Sequence, residues 1–132
     1  MSLVIAVDFD GTCVKPAFPL VGAEVPGAVT VLRKCLAAGD HLLLWTLRTG
    51  APLSAAVDWF TERGLTLTGI NVNPLQAAKW KGFDTGPKVE ADIYIDDRAL
   101  GCPLCHAYGE KPYVDWRGVE EQIKNIRKGG HE

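Results

Sequence analysis

Apolar positions along the chain follow two periods that alternate. Residues 3–7 form a continuous apolar run, Leu-Val-Ile-Ala-Val, rich in β-branched side chains, which predicts a strand buried on both faces. After a loop containing Gly and Pro, Pro26 opens a helical pattern that Gly39 closes. Inside it Ala28, Val31, Leu32, Cys35 and Leu36 recur at the spacing of one helix face. Residues 41–45 predict a second buried strand. Leu53, Ala56, Val57 and Phe60 repeat the helical spacing, and Gly64 is placed as the C-terminal stop. Residues 65–72 predict a third strand, with Thr66 and Thr68 alternating with Leu65 and Leu67, and residues 74–80 a short helix. Residues 91–95 give a fourth strand and residues 106–108 a short fifth. Asp115 then caps a last helix whose Trp116, Val119, Ile123 and Ile126 share a face.

Strand and helix alternate over short connections, the pattern of a parallel sheet covered by helices on both faces. The expectation is a single doubly wound α/β domain over residues 1–132, without repeat, linker or low-complexity tract. At 47% hydrophobic and 23% charged residues the chain has the composition of a globular domain and not of a disordered one. Fourteen basic against sixteen acidic residues leave a net charge of −2, which argues against a general nucleic-acid or membrane coat. The first apolar run has no basic region or cleavage site ahead of it and is expected to belong to the mature fold. The four cysteines are too few for a disulfide scaffold, so a reducing cytoplasm is the expected compartment. The stretch 128–132 has no apolar anchor and is expected to fray.

The chemistry gathers at predicted strand ends. In a parallel sheet the strands end on one edge, and ligands bind in the crevice outside their carboxyl ends. The first strand is followed by Asp8-Phe9-Asp10-Gly11-Thr12, the second by Thr46, and the fourth by Asp96-Asp97-Arg98. Four carboxylates in one crevice repel unless a cation joins them, and an all-oxygen set suits a hard divalent ion such as Mg²⁺. Lys88, just upstream of the fourth strand, would bring a positive charge to the same edge. Asp8 is placed to attack phosphorus as a carboxylate nucleophile. Asp10 would turn its backbone carbonyl to the metal, while its carboxyl protonates the leaving oxygen and later activates water. Gly11 permits a sharp turn beside the phosphate, with Thr12 next to it in the same loop. Thr46 and Lys88 would hold the equatorial oxygens, and one or both of Asp96 and Asp97 would complete the metal shell with Asp8.

The ordered set DFDGT, WT, Lys88 and YIDD resembles the haloacid dehalogenase superfamily of aspartyl-phosphate phosphatases. Its four motifs fall on Asp8 and Asp10, Thr46, Lys88, and Asp96 and Asp97. The resemblance implies a Rossmann-like core, Mg²⁺, and hydrolysis through a phosphorylated Asp8. The ending YIDDR is also similar to that of polynucleotide-kinase phosphatase domains. Family members often carry a cap between the first and second or the second and third motifs. Here 36 positions separate Asp10 from Thr46, and 42 separate Thr46 from Lys88; core elements fill both intervals. An uncapped, open site is therefore expected, suited to a phosphorylated small molecule or macromolecule or closed by another copy of the chain. The loop 14–25, with Lys15 and Phe18, is the local candidate for a flap.

Other features admit plainer readings. Arg48, in the loop after Thr46, is expected to grip a substrate anion by its planar fork or to be a surface arginine. Arg98 suits a partner for nearby carboxylates. Cys102, Cys105 and His106 have the spacing of c-type haem attachment and offer three zinc ligands, but a fourth is missing and a buried or surface loop is the simpler account. His41 suits a structural place at the start of a strand. Trp45, Trp59, Trp80 and Trp116 sit at apolar spacings and are expected in the core, Trp80 being the first candidate among them for exposure. A rival function is a phospho-acceptor domain like the receivers of two-component signalling, but there the acceptor Asp ends the third strand and Lys comes last. A second rival is a catalytically retired binding module.

Overall fold

In the computed structural model, which describes residues 2–129, the first apolar run forms β1 (Val4–Val7), followed by α1 (Ala28–Ala37), β2 (His41–Leu44) and α2 (Gly50–Glu62). The chain continues through β3 (Gly69–Ile70), α3 (Pro74–Lys79) and β4 (Ile93–Ile95), then β5 (Leu104–Cys105), β6 (Tyr113–Val114) and α4 (Trp116–Gly129). The four-stranded sheet has the order β3-β2-β1-β4 and all its pairings are parallel. The register sets Val7 beside Leu44 and Ile95, so the residues that follow β1, β2 and β4 emerge on one edge.

The strand order reverses direction at β1. Right-handed crossovers then place α1 and α2 on one face and the connection from β3 to β4 on the other. Packing agrees with that topology. Ile5, Val7, Leu42, Leu44 and Ile95 join side chains of α1, α2 and α4 in the larger core, while Ala6 and Leu43 pack on Val89 on the opposite side. The result is a Rossmann-like α/β sheet. Among the described residues the intervals between the first, second and fourth strands hold α1, α2 and α3 and no inserted unit. No helix among the described residues is long and apolar enough to cross a membrane.

Several elements differ from expectation. Of residues 65–72, only Gly69 and Ile70 join the ladder: the Leu65 amide instead donates to Phe60 O and closes the end of α2, and Thr68 N begins the approach to the sheet by bonding Leu42 O. Residues 106–108 are not a strand. The short fifth strand lies earlier, at β5, and pairs antiparallel with β6 in a separate ribbon. Asp115 does cap the last helix, its Oδ1 accepting from the Arg117 and Gly118 amides. Lys128 and Gly129 are helical; the rest of the stretch expected to fray, residues 130–132, lies outside the described residues. Trp59 and Trp116 are buried, Trp45 half-buried and Trp80 exposed. His41 faces Thr68 Oγ1 across 3.3 Å, in a structural place.

Candidate active site

The turn after β1 is built around one carbonyl. Phe9 O accepts from the amides of Thr12, Cys13 and Val14, which folds the chain back over its own strand. Gly11 has φ 78°, and a Cβ there would lie 2.2 Å from Asp97 Oδ2, so glycine is required both by the backbone and by the space. Strand β6 and the start of α4 brace the loop from outside: Val114 N donates to Gly11 O at 2.9 Å, and Trp116 Nε1 donates to Thr12 O at 2.8 Å.

Thr12 is wholly buried and joins two acidic segments. Its hydroxyl donates to Asp8 Oδ2 at 3.0 Å and accepts from the Asp97 amide at 3.2 Å. Asp96 accepts from the Arg98 amide at 2.9 Å, which curls the loop after β4. Asp8, Asp96 and Asp97 thereby bring ligand oxygens within 4.8 Å of one another. Burial, followed by the charge of Asp96, pushes the Asp8 carboxyl up to about 8 against the help of the Thr12 hydroxyl and the Phe9 amide. Burial and the side-chain hydrogen bond that a protonated Asp97 makes to Asp96 likewise raise Asp97. A carboxylate set that holds its charge this reluctantly is one that a divalent cation would relieve, and its all-oxygen donors fit Mg²⁺.

The fourth expected carboxylate is elsewhere. Asp10 does not join the trio; its Oδ2 and Oδ1 accept from Arg48 Nε and Nη2, both at 2.7 Å. Arg48 is neither the free substrate fork nor the surface arginine that its sequence position suggested. It is buried, and its remaining N–H groups donate to the carbonyls of Pro19, Leu20 and Pro52. The guanidinium lies 5.0 Å from the Phe9 ring centroid and 5.2 Å from that of Phe18. The loop 14–25 is likewise fastened. Lys15 N bonds Ala23 O, and Lys15 Nζ pairs with Glu110 at 2.8 Å.

Thr46 stands at the tip of β2. Its Oγ1 accepts from Arg48 N at 3.1 Å, and its own backbone is gripped by Asn71: Thr46 N donates to Asn71 Oδ1 at 2.8 Å, and Asn71 Nδ2 donates to Thr46 O at 3.0 Å. Asn71 holds a left-handed φ of 55° to do so. It escaped the sequence reading, although its place just beyond β3 is the strand-tip signal that marked the others. Lys88 is exposed. Its ammonium sits over the Tyr94 ring, 5.6 Å from the centroid, while the charges acting on Asp8 are those of Asp96 and Asp97. Cys102, Cys105 and His106 do not converge as metal ligands among the described residues, and all four cysteines are free thiols. Two cavities, of about 480 and 180 Å³, lie along the β3 and β4 edges of the sheet and contain none of these carboxylates.

Fold and site together define a parallel α/β domain with an acidic crevice at the C-terminal edge of its sheet. The chain is 35% identical to a conserved, locus-encoded protein of known structure from Bacteroides thetaiotaomicron, over 96% of this chain and 93% of that one, with a TM-score of 0.74. It belongs to the same family as that Bacteroides protein. No protein-family model matches the sequence, and none of the curated proteins does.

Proposed function

We propose that the chain is a divalent-metal-dependent phosphomonoester hydrolase whose nucleophile is Asp8. The observation that carries this reading is the convergence of Asp8, Asp96 and Asp97 at the tips of adjacent parallel strands, where burial and like charge leave Asp8 in need of a cation. The resemblance of the motif set to haloacid dehalogenase phosphatases supports the same assignment. Mg²⁺, held by Asp8, Asp96 and Asp97 with the Asp10 carbonyl nearby in sequence, would supply charge neutralisation that lets an anionic carboxylate meet an anionic phosphate.

The chain's own groups divide the work in two steps. An Asp8 carboxylate oxygen attacks phosphorus, the bond from phosphorus to the ester oxygen breaks, and that oxygen leaves with a proton from Asp10. Water then attacks the phosphorus of the aspartyl-phosphate and gives a proton to Asp10. The bond to Asp8 breaks, releasing inorganic phosphate and restoring the carboxylate. Thr46, with its backbone fixed by Asn71, and Lys88, on moving from Tyr94, are the groups for the outer phosphate oxygens. Gly11 and Thr12 shape the floor beneath them.

Asp8→Asn is expected to stay folded and to lose Mg²⁺-dependent turnover of p-nitrophenyl phosphate by about 10⁴-fold or more. Undiminished turnover, or full activity of the native chain in EDTA, contradicts the assignment.

A further inference from the structure

Every N–H of the Arg48 guanidinium has an acceptor: two bonds reach Asp10, and one each reaches Pro19, Leu20 and Pro52. Its side chain is 1% exposed, whereas that of Asp10 is 26% exposed. A buried cation with its whole fork engaged is set in place by the fold, and a lysine has neither the plane nor the five donors to reproduce it. The acceptors come from three separate stretches of chain: the loop after β1, the tip of the 14–25 loop, and the first turn of α2. The half-exposed Asp10 carboxylate receives both of its bonds in that network from this one residue, in the parallel geometry that leaves least freedom to rotate.

We propose that Arg48 is a positioning residue that acts through Asp10: it fixes the carboxylate at the rim of the crevice and ties its setting to the flap carbonyls of Pro19 and Leu20. This deepens the reading of the site as a phosphatase and rests on it. Arg48 bonds neither the acidic trio nor Lys88, and it meets Thr46 Oγ1 only through its own backbone amide. Its side chain therefore serves the proton carrier and not metal capture.

A double-mutant cycle with Arg48→Lys and Asp10→Asn tests this, with kcat/KM read on an alkyl phosphate and on p-nitrophenyl phosphate and Mg²⁺ affinity read by calorimetry. Asp10→Asn is expected to lower kcat/KM for the alkyl ester by about 10²-fold. Arg48→Lys should lower it by about 10-fold or more, with a smaller loss on the aryl ester, whose leaving group needs less help from a proton. In the Asp10→Asn background Arg48→Lys should remove nothing further. Mg²⁺ affinity of Arg48→Lys should stay within about twofold of the native value, since the trio is untouched. Losses that multiply in the double variant, equal losses on both esters, or native kinetics for Arg48→Lys would each overturn the proposal. Arg48→Gln takes its place if the lysine variant does not fold. An Asp8→Asn chain that keeps its activity would overturn the nucleophile alone, because the cycle reads the coupling of Arg48 to Asp10 separately.

Discussion

Two arginine–aspartate forks sit at opposite edges of the sheet and are built in reverse. At the C-terminal edge Arg48 is 1% exposed and its partner Asp10 26%; at the N-terminal edge Asp40 is 1% exposed and its partner Arg127 26%. Asp40 lies just before β2, accepts from the Leu3 amide at 2.9 Å, and is covered by Arg127 from the last turn of α4. There the buried acid ties the start of β1 to the start of β2, and the cation clamps the final helix onto them. In the crevice the buried member is the cation, and an acid is held out toward solvent. The same chemical pair thus closes the fold at one edge and presents a working carboxylate at the other. The buried partner marks what the fold holds, and the exposed partner what it offers.

The reversal predicts opposite rankings of damage. At the N-terminal edge Arg127→Met should cost about 3–5 kcal/mol, because it leaves the buried Asp40 carboxylate without its counter-charge, while Asp40→Ala should cost about 1–3 kcal/mol, the Leu3 amide losing its acceptor and Arg127 turning toward solvent. In the crevice the order inverts. Asp10→Asn should cost about 3–5 kcal/mol, because it leaves the buried Arg48 guanidinium without its counter-charge, and Arg48→Met about 1–3 kcal/mol, since the carbonyls and the Asp10 carboxylate it releases lie within reach of water. Urea denaturation of the four variants measures this, and equal costs within each pair would break the comparison. Turnover should follow a different line, surviving Asp40→Ala in the folded fraction and falling with Asp10→Asn.

A smaller effect should separate the acidic trio from both forks. Gly11→Ala forces a Cβ against Asp97 Oδ2 and a side chain onto φ 78°. It should destabilise the chain by about 1–3 kcal/mol and weaken Mg²⁺ binding at least about tenfold, read by calorimetry. An unchanged affinity would mean that the Gly11–Asp97 approach does not shape the metal site.

The last expected effect is a pH dependence. With Asp8 pushed up to about 8 in the folded chain, the metal-free protein keeps a proton there that the unfolded chain has already released above its usual carboxylate range. Folded protein then binds more protons than unfolded, so stability should decline as pH rises from about 4 through about 8. Saturating Mg²⁺ favours the ionised trio and should flatten that slope. Thermal melts across this range with and without Mg²⁺ read it, and a metal-free stability that climbs with pH would contradict the burial and crowding assigned to Asp8.

How much of this was legible in the residues follows the range of each signal. Asp8, Thr46, Asp96 and Asp97 were found because each directly follows an apolar strand, and strand order then fixes a shared edge. The fate of Asp10 and Arg48 was not legible. Their bond spans 38 positions and depends on how the 14–25 loop folds over the guanidinium, which no local periodicity encodes. Lys88 was placed by order along the chain, but its side chain is set by Tyr94 in the neighbouring strand. The alternation of Leu65 to Thr68 is real, yet capping of α2 by Leu65 keeps most of it off the ladder. The ribbon of β5 and β6 has two residues in each strand, too short for a period to appear.

The central claim is that Asp8 takes the phosphoryl group beside a divalent ion. A crystal grown with Mg²⁺ and beryllofluoride tests it most directly. The account predicts beryllium bonded to a carboxylate oxygen of Asp8, with Mg²⁺ held by Asp8 and by at least one of Asp96 and Asp97. An Asp8 left bare, with the fluoride complex bound elsewhere or absent, would contradict it.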